Sequence, residues 1–155
     1  MLAQKDEMRR DQYVRDLASA LKEVVRASRD RFAPVEGVRI VRFPGRQSWY
    51  EAKTYLPGAN YCRIDDEPAL MYSCIWGRAE ARMDMTAFHT RLAADIETAL
   101  GPDFKRRQTA KNAGSVFFDE QASSGGATVQ VLPPAREPEP TVKVIVLPAK
   151  SNASR

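Results

Sequence analysis

Between residues 6 and 28 apolar side chains recur at three- and four-residue steps, and charged side chains fill the positions between them. This periodicity predicts an amphipathic helix with one apolar face. The apolar stripe of this first helix comprises Met8, Val14, Leu17, Leu21, Val24 and Val25.

A second amphipathic helix is predicted up to about Leu100, where Gly101 and Pro102 provide a typical helix end. Its apolar stripe comprises Met85, Phe88, Leu92 and Ile96. From both helices and the most apolar strands we expect a core that includes Leu17, Leu21, Trp76, Phe88, Leu92, Ile96 and Val144.

The middle and last thirds of the chain have strand-like patterns, with turns predicted at 44–45 and 57–58. Residues 142–147 are apolar on both faces except at one lysine, which is typical of a covered central strand. We therefore expect an α+β fold in which two helices pack on a largely antiparallel sheet, in the order α-β-β-β-α-β-β-β. A single domain is expected over residues 1–150, with a polar tail over 151–155.

The stretch from residue 60 to 77 predicts a β-hairpin whose acidic turn is centred on Pro68. In that register Cys62 faces Cys74, and Ile64 faces Tyr72. Because side chains alternate along a strand, both cysteines then project to one face of the sheet.

The cross-strand register brings the two cysteines within disulfide reach. A structural disulfide between Cys62 and Cys74 is the main expectation, and two buried free thiols or a redox or ligand role are the alternatives. A stable disulfide forms in an oxidising compartment, so the pair predicts a periplasmic or secreted protein, whereas free thiols would fit the cytoplasm. The first residues run straight into a charged helix, so we expect this chain to carry no leader peptide.

Aromatic residues concentrate in the middle third of the chain. They either fill the core and pair across strands, or line a groove on an open sheet face that takes a ligand or partner. The residues of that candidate face are Trp49, Tyr61, Tyr72 and Trp76.

The net charge of +4 is mildly basic, and the densest basic run is Lys105-Arg106-Arg107. These side chains are candidates for anion contact, although a solvated loop is the simpler interpretation. Nucleic acid is disfavoured as a partner because the run lacks interleaved aromatics and a recognition helix. No apolar run is long enough to span a bilayer.

No catalytic constellation is visible in the sequence. His89, the sole histidine, is expected at the surface or partly packed on the flank of the second helix, without an oriented partner. The cysteine spacing, the acidic turn and the glycines match no zinc, calcium or phosphate-binding motif. We therefore expect no catalytic residue, metal or cofactor.

Three functions remain open, and each predicts a different surface. A non-enzymatic binding protein for a protein or small ligand is the first, and it predicts a shallow apolar patch. A small enzyme with a dispersed site predicts a deep polar pocket with a perturbed acid or base. A basic adaptor for nucleic acid or an anionic surface predicts that residues 105–107 cluster with Arg39, Arg42 and Arg46.

Overall fold

The computed structural model describes residues 2–43, 45, 47–77, 85–107, 114–121, 126–135 and 141–149. The predicted tail, residues 151–155, lies outside these ranges. The elements are α1 (Leu2–Ser28), β1 (Glu36–Arg42), β2 (Gln47–Ala52), β3 (Tyr61–Asp65), β4 (Met71–Gly77), α2 (Met85–Leu100), β5 (Phe104–Arg106), β6 (Val116–Glu120), β7 (Thr128–Val131) and β8 (Thr141–Leu147).

The strands form one antiparallel eight-stranded sheet in the order β1-β2-β3-β4-β8-β7-β6-β5. The chain therefore consists of two halves of the same order, each a helix followed by a four-stranded meander, which meet where β4 pairs with β8. The predicted α+β class is confirmed, and each half has one strand more than expected.

Both helices pack against each other and against one face of the sheet, which we call the inner face. Along β3 and β8 every second residue is buried on this face, while the intervening residues on the opposite, outer face are partly exposed. Six of the seven expected core residues are buried, and Phe88 is only partly buried.

Residues 7–12 of α1 are exposed, and the helix joins the core from Leu17 onward. Met8 is 69% exposed there, contrary to its expected place in the apolar stripe, whereas Leu17 and Leu21 are buried. The described helices include none that is long and apolar enough to cross a membrane.

The turn at Pro57-Gly58 positions side chains from two layers. The Pro57 carbonyl accepts hydrogen bonds from the Tyr13 hydroxyl of α1 and from the Trp76 indole Nε1 of β4, each at 3.3 Å. Gly58 adopts φ +80°, which favours glycine, and a Cβ there would lie 3.4 Å from the same indole nitrogen. The turn therefore holds Trp76 against α1.

Candidate functional site

The hairpin of β3 and β4 has the predicted register, and a disulfide joins Cys62 to Cys74. Both cysteines are fully buried on the inner face. With a sequence separation of 12 residues, the closed loop contributes about 3 kcal/mol on the loop-entropy account. The disulfide is therefore a structural bond in the middle of the core.

The four aromatics of the predicted face do not share one face. Tyr72 and Trp76 are buried on the inner face, where the Tyr72 hydroxyl donates to the Thr54 carbonyl and burial raises its pKa. Trp49 and Tyr61 lie together on the outer face, where the indole Nε1 donates to the Tyr61 hydroxyl at 2.8 Å. The expected single face is corrected because Tyr61 directly precedes Cys62 and so points the opposite way.

Trp49 lies between two arginines on the outer face. The guanidinium carbon of Arg63 is 4.7 Å from the indole ring centroid, and that of Arg42 is 5.9 Å from it. Arg63 also donates to both carboxylate oxygens of Asp65, at 2.9 and 3.0 Å. Trp49 borders a surface cavity of about 530 Å³ lined by Gly45, Gln47, Ser48, Trp49, Arg63, Asp65, Glu67 and Pro68.

Strand β1 is an edge of the sheet and extends beyond the core. It pairs with β2 and with no other described strand, and a register shift between Glu36 and Arg39 marks a bulge. Gly37 lies at this bulge, where a Cβ would approach the Glu51 carbonyl oxygen to 2.5 Å. Beyond it the pair continues from Arg39 to Arg42, past the two residues at which β2 pairs with β3.

Three of the five exposed large hydrophobic side chains of the described residues lie on this projecting strand or directly after it. Val38 is 68% exposed, Val41 48% and Phe43 78%, while Met8 and Ile75 are the two others. Exposed apolar side chains that lie close together are typical of surfaces that contact a partner. We call Val38, Val41 and Phe43 the apolar patch of β1, and by strand alternation Val38 and Val41 lie on opposite faces of this edge.

The arginines of β1 have no acidic partner among the described residues. Arg39 donates to the Ser48 hydroxyl at 3.3 Å, and its guanidinium carbon is 5.9 Å from the Tyr50 ring centroid. Arg42 contacts the Trp49 ring and forms no ion pair with a described carboxylate. The apolar patch thus has an uncompensated positive charge beside it.

The predicted anion-contact run lies at the other edge of the sheet. Lys105 and Arg106 are exposed on β5, and Arg107 donates to both carboxylate oxygens of Asp119, at 2.8 and 2.6 Å. The hydrogen bonds from Arg107 hold the pKa of Asp119 below its ordinary value of 3.8. Since β1 and β5 are opposite edges, the run does not cluster with Arg39 or Arg42, and Arg46 lies outside the described residues.

His89 is buried, at 7% exposure, and this corrects the expected surface or partly packed position. Helix α2 is rotated relative to the predicted stripe, so that His89, Leu92, Ala93 and Ile96 are buried while Phe88 is partly exposed at the edge. The Nε2 atom of His89 has no hydrogen-bond partner within the described part of the chain. Helical periodicity alone did not decide whether Phe88 or the adjacent His89 faces the core.

The pKa shifts among the described residues all move groups away from neutrality. Burial raises the pKa of Tyr13 to about 12, and burial also raises the pKa of Tyr55 and Tyr72. The pKa of Asp119 is lowered, and its hydrogen bonds raise that of Arg107. None of these shifts prepares a general acid or base for work near pH 7.

Comparison with protein-family models finds no match to this chain, and comparison with curated proteins likewise finds none. Sequence reasoning missed the apolar patch of β1, because Val38, Ile40, Val41 and Phe43 follow neither strict alternation nor a continuous run. The charged residues Arg39 and Arg42, which lie among these apolar residues, are the sequence feature that indicates an exposed strand.

Proposed function

We propose that the protein is a non-enzymatic binding protein that adds an extended, acidic segment of a partner protein to the edge of β1. The observation that supports this proposal is the apolar patch of Val38, Val41 and Phe43 on an edge strand that extends beyond the core. In strand addition the main-chain groups of the edge supply affinity, and alternate side chains of the added segment supply specificity.

The side chains around β1 favour an acidic segment. Arg39 and Arg42 lack carboxylate partners among the described residues, and the guanidinium of Arg63 next to Trp49 is already paired with Asp65. Arg39 and Arg42 project to opposite faces of the strand, since Arg39 contacts Tyr50 and Arg42 contacts the adjacent Trp49. A segment with alternating apolar and acidic residues would direct its acidic side chains to one face, beside Arg39 or beside Arg42, and its apolar side chains to the other. Complementary charge also speeds association and fixes register.

A second copy of this chain is a poorer occupant of the same edge. Two-fold antiparallel pairing of two β1 strands is centred on a residue that faces its own copy. Pairing at Ile40 would therefore bring the two Arg39 side chains diagonally across from each other, and pairing at Val41 would do the same for the two Arg42 side chains. Like charges opposed across strands are destabilising. Charges and bulges on an edge strand also guard against self-association, and β1 has both.

The proposed site of action is an oxidising compartment, the periplasm or the cell exterior. The Cys62–Cys74 disulfide supports it, because structural disulfides persist where thiols are not kept reduced.

The proposal is tested with a fluorescent peptide of the length of β1 in which Val and Glu alternate, followed by anisotropy. The Arg39→Glu/Arg42→Glu double variant should bind it at least about tenfold more weakly than the wild type, because the acidic side chains would then face acidic ones. The matched control is Lys105→Glu/Arg106→Glu, which changes the net charge equally at the opposite edge and should leave binding unchanged.

Equal weakening by both double variants would show general charge attraction and would contradict the proposal. So would a dimer that forms in solution and is broken by Arg39→Glu/Arg42→Glu in the same way as by Val41→Asp, since the edge would then be filled by a second copy.

A further inference from the structure

A second cavity, separate from the β1 edge, opens between the two helices. It has a volume of about 400 Å³, within the range of sites for small ligands, and is lined by Arg10, Tyr13, Gly58, Trp76, Phe88, Arg91, Leu92 and Asp95. Along α2 the lining residues Phe88, Arg91, Leu92 and Asp95 share one side at helical spacing. Helix α1 contributes the opposite wall.

The body of the cavity is apolar and rigidly held. The Trp76 and Phe88 rings lie 6.4 Å apart between centroids, and Leu92 packs in the core beside them. Tyr13 and Trp76 both donate to the Pro57 carbonyl, which fixes their rings from two different elements. The raised pKa of Tyr13, about 12 because of burial, keeps its hydroxyl neutral at ordinary pH. These walls suit the apolar body of a ligand.

The charges of the cavity leave one positive group uncompensated. Asp95 is buried and accepts a hydrogen bond from Arg10 at 3.1 Å, so that these two charges neutralise each other. The guanidinium carbon of Arg91 is 5.9 Å from the Phe88 ring centroid, and Arg91 forms no ion pair with a described residue. A single negative charge on the ligand would balance Arg91.

A cation is a poor fit for the same cavity despite its three aromatic rings. The carboxylate of Asp95 already has Arg10 as its partner, and the guanidinium of Arg91 already lies over Phe88. A ligand cation would meet two arginines and no free carboxylate among the described lining residues.

We propose that this cavity binds a small monocarboxylate with an apolar tail, whose carboxylate pairs with Arg91 while the tail packs on Trp76, Phe88 and Leu92. The planar guanidinium of Arg91 matches a carboxylate with two parallel hydrogen bonds. Neither β1 nor its proposed partner is involved in this site.

The test uses a built-in reporter. Trp49 and Trp76 are the two tryptophans of the chain, so Trp49→Phe leaves Trp76 in the cavity wall as the sole indole. Octanoate should change the Trp76 emission of this variant in a saturable way, and titration calorimetry should give the same affinity. Octylamine should not bind, and the neutral 1-octanol should bind more weakly than octanoate.

Arg91→Gln in the Trp49→Phe background should weaken octanoate binding about 10- to 100-fold, the usual effect of losing hydrogen bonds to a charged group. Lys105→Gln, which removes an equal charge at an exposed residue that does not line the cavity, should leave the affinity unchanged. Circular dichroism checks that Arg91→Gln, an exposed position, stays folded. The proposal is overturned if octanoate gives no saturable signal by either method, if octylamine binds as well, or if Arg91→Gln binds octanoate as tightly as its parent.

Discussion

Arginine side chains serve two different purposes at the two edges of this sheet. Arg107 on the β5 side is tied by two hydrogen bonds to Asp119, which also accepts one from Thr128. Arg39 and Arg42 on β1 contact aromatic rings and face solvent without a described acidic partner. The first arrangement stabilises the fold, whereas the second leaves charge available for binding.

The ion pair at β5 gives stability a specific dependence on pH. Because hydrogen bonds from Arg107 lower the pKa of Asp119 below 3.8, the pair stabilises the folded state fully above that value and progressively less as the pH falls below it. Asp119→Asn should therefore be less stable than the wild type near neutral pH, by at most about 1 kcal/mol because both side chains are partly exposed. Urea unfolding across the acid range measures the difference.

The difference between wild type and Asp119→Asn should shrink as the pH is lowered through the acid range. A difference that is the same at about pH 7 and about pH 2 would mean that the ionised carboxylate contributes nothing to stability.

Helix α2 is fixed to the sheet mainly by its buried apolar side chains. Ile96 is fully buried, and the helix also contacts α1, β5 and β8. The disulfided hairpin of β3 and β4 forms part of the same core. The orientation of α2 also sets the wall of the cavity that contains Arg91.

Truncation of Ile96 should reveal this packing. Ile96→Val should lower the free energy of unfolding by about 0.5–1.5 kcal/mol and Ile96→Ala by about 2–5 kcal/mol, because a cavity replaces the removed atoms. Glu97→Ala, at the exposed neighbouring position, should change it by less than about 0.5 kcal/mol. Denaturant titration measures all three, and an Ile96→Ala effect as small as that of Glu97→Ala would contradict the orientation of α2.

Local patterns were sufficient to predict both helices, most of the strands and the hairpin register. The turn at Pro68 and the strict alternation beside it fix which residue faces Cys62, and helical periodicity fixes most of the core. The β5 strand was missed because three residues between a helix end and a basic run carry little pattern. For α2 the sequence predicted that Phe88 faces the core, whereas the adjacent His89 does. The two alternatives are related by a rotation of the helix about its axis, and tertiary packing decides between them.

The two halves of the chain share an order of elements but differ in their outer edges. Joining the halves through β4 and β8 buries the most apolar strand at the centre and leaves β1 and β5 as the two ends of the sheet. Strand β5 is only three residues long, and its two exposed residues, Lys105 and Arg106, are basic. At β1 the strand pair projects beyond the core and adds exposed valines and Phe43, so the edges offer different chemistry to a partner.

This asymmetry could not be derived from the sequence. Exposure of Val38 and Val41 depends on how far the β1–β2 pair extends past β3, and that extent is set by the bulge at Gly37 and by a short β2–β3 pairing. Neither the bulge nor the short β2–β3 pairing can be recognised from the pattern of apolar and polar residues, which resembles that of an ordinary buried strand. The proposed function therefore depends on tertiary placement more than on any motif.

The most direct test of strand addition at β1 is to map the backbone amides that respond to the alternating Val/Glu peptide in isotope-labelled protein. Binding should shift the amide resonances of residues 38–42 and the Trp49 indole resonance, and should slow hydrogen exchange at alternate amides of β1, while residues 104–106 stay unchanged. Shifts concentrated at residues 104–106, or a bound peptide that protects no amide of β1, would contradict the account.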